Sequence, residues 1–359
     1  MNNMVDLLAT VAELVGVPSV SGQEDALADL VEQRLRACAF LEVERIGATV
    51  VARSSFGRSR RLLLAGHLDT VPPFGAVEAR LEHDAVSGLG AVDMKGGLAV
   101  MLSLADDLES AALDATLCFY ACEEVERDAN ALFRLASTRP EVLAADAAVL
   151  GEPTGGVVEA GCQGTMRAEV RLRGRRAHTA RPFTGSNAIH RLLPVLDALG
   201  RYSPRPVDLD GCRYTEQLQA VRIEGGVAGN VVPDVAVVTV NYRFAPDRDV
   251  AAAEDELRSL FAPGLDEAQG DELVVIDSAA GATPGLTHPL LGSLVEASGA
   301  EARAKVGWTD VATIAALGIP ATNFGPGDPL LAHTPDERVS RQELEHARRV
   351  LAEVLGLAR

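Results

Sequence analysis

Two adjacent glutamates, Glu123 and Glu124, follow the apolar run DATLCFYAC in this 359-residue chain. Successive side chains of a strand point to opposite faces, so neighbouring acids normally cannot share one environment. Similar punctuation recurs along the chain. LLLAGHLDTVP ends an apolar run on His67 with Asp69 two residues on, and GLGAVDMKGG places Asp93 in a glycine-rich turn before a helical pattern. Glu152 follows another apolar run in LGEPTG, and His333 sits on the Gly/Pro-rich stretch GPGDPLLAHTPDE. In open α/β sheets, ligand sites lie beyond the carboxyl ends of the strands. A ligating histidine needs an acceptor on its other ring nitrogen, and H-x-D puts a carboxylate on the same face. Singly, H-x-D also fits a surface histidine beside a turn aspartate. The glycine-rich stretch also fits a helix cap or a phosphate-cradling loop, although it lacks the GK[S/T] of a P-loop. Together, the histidine nitrogens and carboxylate oxygens suit Zn²⁺, Co²⁺ or Mn²⁺ better than Ca²⁺ or an iron–sulfur cluster.

The elements that must position these groups read as an α/β domain. Residues 3–38 have the spacing of two helices, the second beginning at SGQEDALADLVEQRLRA with Ser21 and Glu24 in capping-box positions. ATVVARS, RLLLAGH, ATLCFYA and DAAVLGE are strand-like, GGLAVMLSLADDLES between them is helical, and the alternation predicts a largely parallel sheet. From about residue 162 the texture changes. TMRAEVRLRGRRAH alternates in period two, GSNAIHRLLPVLDALGRY is helical, and LQAVRIEGG and VAVVTVNYRFAP alternate again. A helix at DVAAAEDELRSLF and a strand at DELVVIDSA close an α+β layer ordered like a ferredoxin-like unit. The α/β texture then resumes with HPLLGSLVEAS, IPATNFG and a last helix from Ser340.

Composition narrows the function classes. A net charge of −18 argues against nucleic acid as a partner. No run of eighteen apolar residues would span a membrane, and residues 1–20 read as an amphipathic helix, not a leader peptide. Five scattered cysteines are no disulfide framework and suit a reducing cytoplasm. Within the inserted layer, Arg167, Arg171, Arg173, Arg175, Arg176 and Arg181 are interrupted by a single acid, Glu169. They would attract carboxylates, or line a solvated face paired with acids elsewhere.

GHLDTVP, GLGAVDMKGG, ACEEVE, GEPT and AHTPDE occur in the same order as, and resemble, the motif series of the two-zinc aminoacylase/carboxypeptidase family of exopeptidases. The resemblance runs over nearly the whole chain. It implies a zinc-exopeptidase-like catalytic domain, residues 1–161 and 280–359, with a mixed, mostly parallel sheet. It also implies an inserted ferredoxin-like α+β lid and dimerisation domain, residues 162–279, and a cytoplasmic homodimer acting on a small N-acyl amino acid. Two Zn²⁺ per subunit are implied, with Co²⁺ or Mn²⁺ as substitutes. Asp93 would bridge the metals, His67 and Glu152 would complete one site, and Glu124 and His333 the other. Glu123 would be the general base, Asp69 would orient His67, and His178 would reach into the partner subunit's site to stabilise the oxyanion. Arg243 in VNYRFAP resembles the family arginine that holds the substrate's α-carboxylate, and Asn230 in GNVVP a substrate-contacting asparagine. Thr165 and Thr309 would donate hydrogen bonds near the metals.

The stretch KVGWTDVATIAALGIPATNFGPGDPLLAHTPDERV resembles the family's actinobacterial branch that hydrolyses N-succinyl-LL-2,6-diaminopimelate to succinate and LL-diaminopimelate. That is a step toward lysine and cell-wall precursors. The alternatives are N-acetylornithine deacetylation or another deacylase or carboxypeptidase activity of the family. A few pocket contacts worth ~1–3 kcal/mol separate such substrates. GCQGTMR stands where the proteobacterial form has an arginine, which leaves open how the succinyl carboxylate is held. A non-catalytic ligand-binding relative would require a lost ligand or base, and all of them are present.

Overall fold

The computed structural model describes residues 6–73 and 79–357. An eight-stranded mixed sheet forms the larger part, in the order Glu42–Ile46, Thr49–Arg53, Asp114–Tyr120, Arg61–His67, Ala147–Leu150, Ala321–Asn323, Glu159–Ala160, Arg303–Ala304. Its four central strands, from Asp114–Tyr120 to Ala321–Asn323, run parallel. They are buried almost throughout and lack polar alternation, because both faces are covered. Leu62 and Leu64 face a core shared with the helices Leu7–Val15, Asp25–Ala37, Gly96–Ala105 and Arg341–Leu355, whereas Leu63 and Ala65 face the core under Ala131–Thr138 and Val311–Ala315.

The inserted layer is a four-stranded antiparallel sheet in the order Gln217–Gly225, Val235–Phe244, Gly164–Arg173, Glu272–Ala279. The helices Leu193–Arg201 and Val250–Phe261 contribute to its core. Strand order and connections are ferredoxin-like. Entry and exit run side by side, Cys162 and Ala282 exchanging both backbone hydrogen bonds at 3.0 Å. Arg127 and Trp308 donate to the exit strand at Ser278 O and Ala280 O, each at 3.1 Å.

Several expectations are corrected. The Ser21/Glu24 capping box does not form. The helix starts at Asp25, Ser21 Oγ donates to Asp69 Oδ2 at 2.7 Å, and Glu24 accepts from Gly22 N and Cys122 N. A capping box does form at the last helix, between Ser340 and Glu343. The helix anticipated over residues 185–202 is α-helical only for Leu193–Arg201, with Pro194 in its first turn. Strand Gln217–Gly225 is not half-buried: only Leu218 is covered, and Val221 and Ile223 are 58% and 53% exposed. It is an edge strand, with no further strand paired to its outer side among the described residues. The lid arginines are no open attractor throughout, since Arg171 pairs with Glu169 and Glu272, and Arg176 with Asp234.

Candidate metal and catalytic site

Four loops leave the carboxyl ends of the parallel strands and converge. The strand Arg61–His67 ends on His67, which is 1% exposed. The turn before helix Gly96–Ala105 departs from helical geometry at Asp93. It lies against the neighbouring strand end because Gly97 has no side chain: a Cβ there would lie 2.2 Å from Gly151 O, next to Glu152. His67 Nε2 lies 3.1 Å from Asp93 Oδ1, and His333 Nε2 lies 3.3 Å from Asp93 Oδ2 and 2.8 Å from Glu124 Oε1. Asp93 therefore stands between two donor sets, His67–Asp93–Glu152 and Asp93–Glu124–His333.

The donors fit cations. His67 Nδ1 lies 2.9 Å from the backbone oxygen of Asp69, which can only accept, so this nitrogen carries the proton. The Nε2 lone pair of a neutral His67 then faces a carboxylate oxygen, an arrangement a divalent cation resolves. Glu152 Oε1 is buried with no hydrogen-bond partner. Burial and the nearby Asp93 push the Glu152 carboxyl up to about 7. Asp93 and Glu124 raise His333 to about 10. Burial opposes ionisation of Asp93, but its contacts with His333 and His67 outweigh it and hold the carboxyl well below its ordinary value. Nitrogen and oxygen donors with mixed charge match zinc-type coordination.

Glu123 borders both sets: with His67 and Glu124 it forms a third group of possible ligand atoms within 4.8 Å of one another. Its carboxylate makes no hydrogen bond or ion pair to any described residue, and desolvation drives its pKa well above the ordinary glutamate range. Strand alternation does not set the two glutamates apart: the strand ends at Tyr120, Cys122 takes a left-handed conformation at φ 61°, and a carboxylate oxygen of each lies within 4.8 Å of the other and of a His67 nitrogen. The N–H groups of Glu123 and Glu124 then both donate to the Asp69 carboxylate, at 2.9 and 3.0 Å. The expected role of Asp69 changes accordingly. Its backbone oxygen holds His67, while its carboxylate, 3.6 Å from Nδ1, grips the glutamate turn. Glu337, which had no assigned role, joins the two ends of the second donor set by accepting from His333 N and Val92 N.

The remaining anticipated residues lie elsewhere. Arg243 and Thr165 face each other across neighbouring lid strands. The Arg243 guanidinium is half-buried and has no acid or hydrogen-bond partner among the described residues, and burial lowers its pKa. His178 and Asn230 are exposed on adjoining lid segments, with Thr179 N donating to Asn230 O. His178 Nδ1 accepts from Ala180 N at 3.0 Å, which leaves Nε2 to carry the proton and donate. Neither residue hydrogen-bonds to the donor cluster. The Thr309 hydroxyl is buried and already donates to Asn323 Oδ1 at 3.0 Å, so it is not a free donor toward the cluster.

Residues 63–356 match the family model described as Peptidase family M20/M25/M40. A Mycobacterium tuberculosis (strain ATCC 25618 / H37Rv) protein named "Putative succinyl-diaminopimelate desuccinylase DapE" is 53% identical over 352 residues, 98% of each chain. Succinyl-diaminopimelate desuccinylase of Corynebacterium glutamicum is 44% identical over 358 residues, 98% of this chain and 96% of that one. Among solved structures, aminopeptidase PepT from Bacillus cereus ATCC 10987 superposes with a TM-score of 0.80 over 98% of both chains at 18% identity, a likeness of fold.

Proposed function

The chain belongs to peptidase family M20/M25/M40, and from that premise we propose that it cleaves N-succinyl-LL-2,6-diaminopimelate to succinate and LL-diaminopimelate. The acyl group rests on the near full-length similarity to relatives carrying the desuccinylase name. The chemistry rests on one observation: Asp93 is shared between two histidine–carboxylate sets, while Glu123, near enough to His67 and Glu124 to form a third, makes no hydrogen bond or ion pair among the described residues.

His67, Asp93 and Glu152 would hold one zinc ion and Asp93, Glu124 and His333 a second, with Co²⁺ or Mn²⁺ able to substitute. Bound there, they supply Lewis acidity that eases deprotonation of a water and polarises the amide carbonyl. Glu123, not engaged as a ligand, accepts the proton of the attacking water and delivers it to the departing amine as the C–N bond breaks. Asp69 keeps in place the turn that carries Glu123 and Glu124. Arg243 offers its unpaired guanidinium to a substrate carboxylate, with Thr165 and Asn230 as further polar contacts.

His178 is exposed, accepts at Nδ1 from Ala180 N and makes no hydrogen bond to the cluster of its own chain, so its Nε2–H would serve the oxyanion of a partner subunit. A homodimer formed through the lid, residues 162–279 in our division, would cover the apolar edge at Val221 and Ile223. The five free thiols fit a cytoplasmic enzyme. Among the described residues no helix is long and apolar enough to cross a membrane.

Release of succinate from N-succinyl-LL-diaminopimelate, compared with release of acetate from N-acetylornithine by zinc-loaded protein, tests the reading. Preference for the succinyl substrate, abolished by chelation and restored by zinc, is expected. Turnover of N-acetylornithine alone would replace the substrate, and undiminished turnover after chelation would overturn the mechanism.

A further inference from the structure

Asp310, in the stretch GWTD, takes no part in the steps above, yet it is wholly buried. Asp310 Oδ2 accepts from Asn130 Nδ2 at 2.6 Å, and Oδ1 from Thr313 Oγ1 at 2.7 Å. Both partners are neutral, and no lysine or arginine pairs with the carboxylate among the described residues. A buried charge with only neutral donors is costly, and a carboxamide or an apolar side chain would fill the space more cheaply. Stability alone therefore does not account for an acid here.

The partner it holds explains the choice. Asn130, 2% exposed, closes the segment that begins after strand Asp114–Tyr120 and carries both Glu123 and Glu124. Its Oδ1 caps helix Ala131–Thr138 through Phe133 N at 3.1 Å, and Ala131 N returns to Ala121 O at 3.0 Å. The segment 121–130 is thus gripped at two ends. Asp69 takes the Glu123 and Glu124 N–H groups at the front, and Asp310 takes Asn130 at the rear. Asp310 also lies close enough for its charge to be felt at Glu123 and at the buried Tyr120 just before the segment. Short hydrogen bonds to a carboxylate are stiffer than neutral ones, which suits an anchor better than a space-filler.

We propose that Asp310 is a positioning residue for Glu123, fixing through Asn130 the rear of the segment that presents the base. The proposal rests on the reading of Glu123 as that base. Substrate geometry in such sites tolerates little displacement, and loss of a supporting hydrogen bond costs about 10- to 100-fold in rate.

The test is an exchange of the pair. Asp310→Asn sets a carboxamide donor against Asn130 or Thr313, and Asn130→Asp sets two carboxylates against each other. The double variant Asp310→Asn/Asn130→Asp restores one donor and one acceptor in reversed order, and the carboxylate it brings to position 130 can still cap the helix. Each single variant of the zinc-loaded full chain should lose about 10- to 100-fold in kcat, with KM and metal content within about twofold of the parent. The double variant should recover most of that loss. Single variants with the parent's kcat, or a double variant that regains melting temperature but not kcat, would overturn the proposal. Glu123→Gln, assayed alongside, separates the two ideas. If it retains turnover, the base assignment fails. If it is inactive while Asp310→Asn turns over normally, only the positioning role fails.

Discussion

Asp114 and Glu152 are both buried carboxylates of the same sheet, one at the amino ends of its parallel strands and the other beyond their carboxyl ends. Asp114 accepts from Ser54 Oγ, Phe56 N and Arg58 N at 2.9–3.1 Å, and these donors outweigh its burial and lower its pKa. Glu152 is 7% exposed, leaves Oε1 without a partner, and is raised to about 7. The chain has thus satisfied one acid from within and left the other to be completed from outside. A carboxylate supplied with backbone donors stabilises a fold. One crowded by Asp93 and burial, with an imidazole of defined tautomer nearby, awaits a cation. The lid repeats the contrast on the side of positive charge: among the described residues Arg171 and Arg176 are paired, whereas Arg243 is not.

Substitutions at the unsatisfied end should cost function and leave stability alone. His333→Ala or Glu152→Gln should each remove one of up to two zinc-type ions per chain by elemental analysis and lower turnover by about 100-fold or more. The metal-free Glu152→Gln protein should melt no lower than the metal-free parent, because it no longer buries an unpaired carboxylate. Full metal content in either variant would break the contrast. Arg243→Ala should lose about 2–4 kcal/mol in kcat/KM with metal content intact, since it would remove the charge proposed to meet the substrate carboxylate. Unaltered kinetics would move the carboxylate contact elsewhere.

The satisfied end should behave in the opposite way. Asp114→Asn should leave kcat unchanged and reduce stability at neutral pH by about 1–3 kcal/mol in urea unfolding. Because the folded pKa of Asp114 lies below its unfolded value, its contribution is present above the ordinary aspartate pKa of about 3.9. It is lost as pH falls through the lower folded value. The difference between parent and variant should therefore shrink on going from pH 6 toward pH 3, and a difference that grew on acidification would contradict it.

The sequence made His67, Glu123, Glu124 and Glu152 legible because each follows an apolar run, and runs buried on both faces read as strands of a parallel sheet; Asp93 and His333 stood out on glycine- and proline-rich turns. The ferredoxin-like order was legible for the same reason, since alternation and helical spacing differ over long segments. What stayed hidden was set by distant partners. Ser21 and Glu24 look like a cap, yet one bonds Asp69 and the other Cys122. The left-handed turn at Cys122 has no glycine to announce it. Asp310 finds Asn130 and Glu337 finds Val92 only after the strands and helices have packed. The exposed edge of Gln217–Gly225 follows from strand order, which periodicity does not report.

The central claim is that two neighbouring glutamates hold separate offices, Glu124 as a ligand and Glu123 as an uncoordinated base. Metal content and turnover measured together on Glu123→Gln and Glu124→Gln test it most directly. The account predicts that Glu123→Gln keeps its full metal complement and loses turnover by about 100-fold or more, whereas Glu124→Gln loses metal first and activity with it. Undiminished turnover in the metal-replete Glu123→Gln protein would contradict the account.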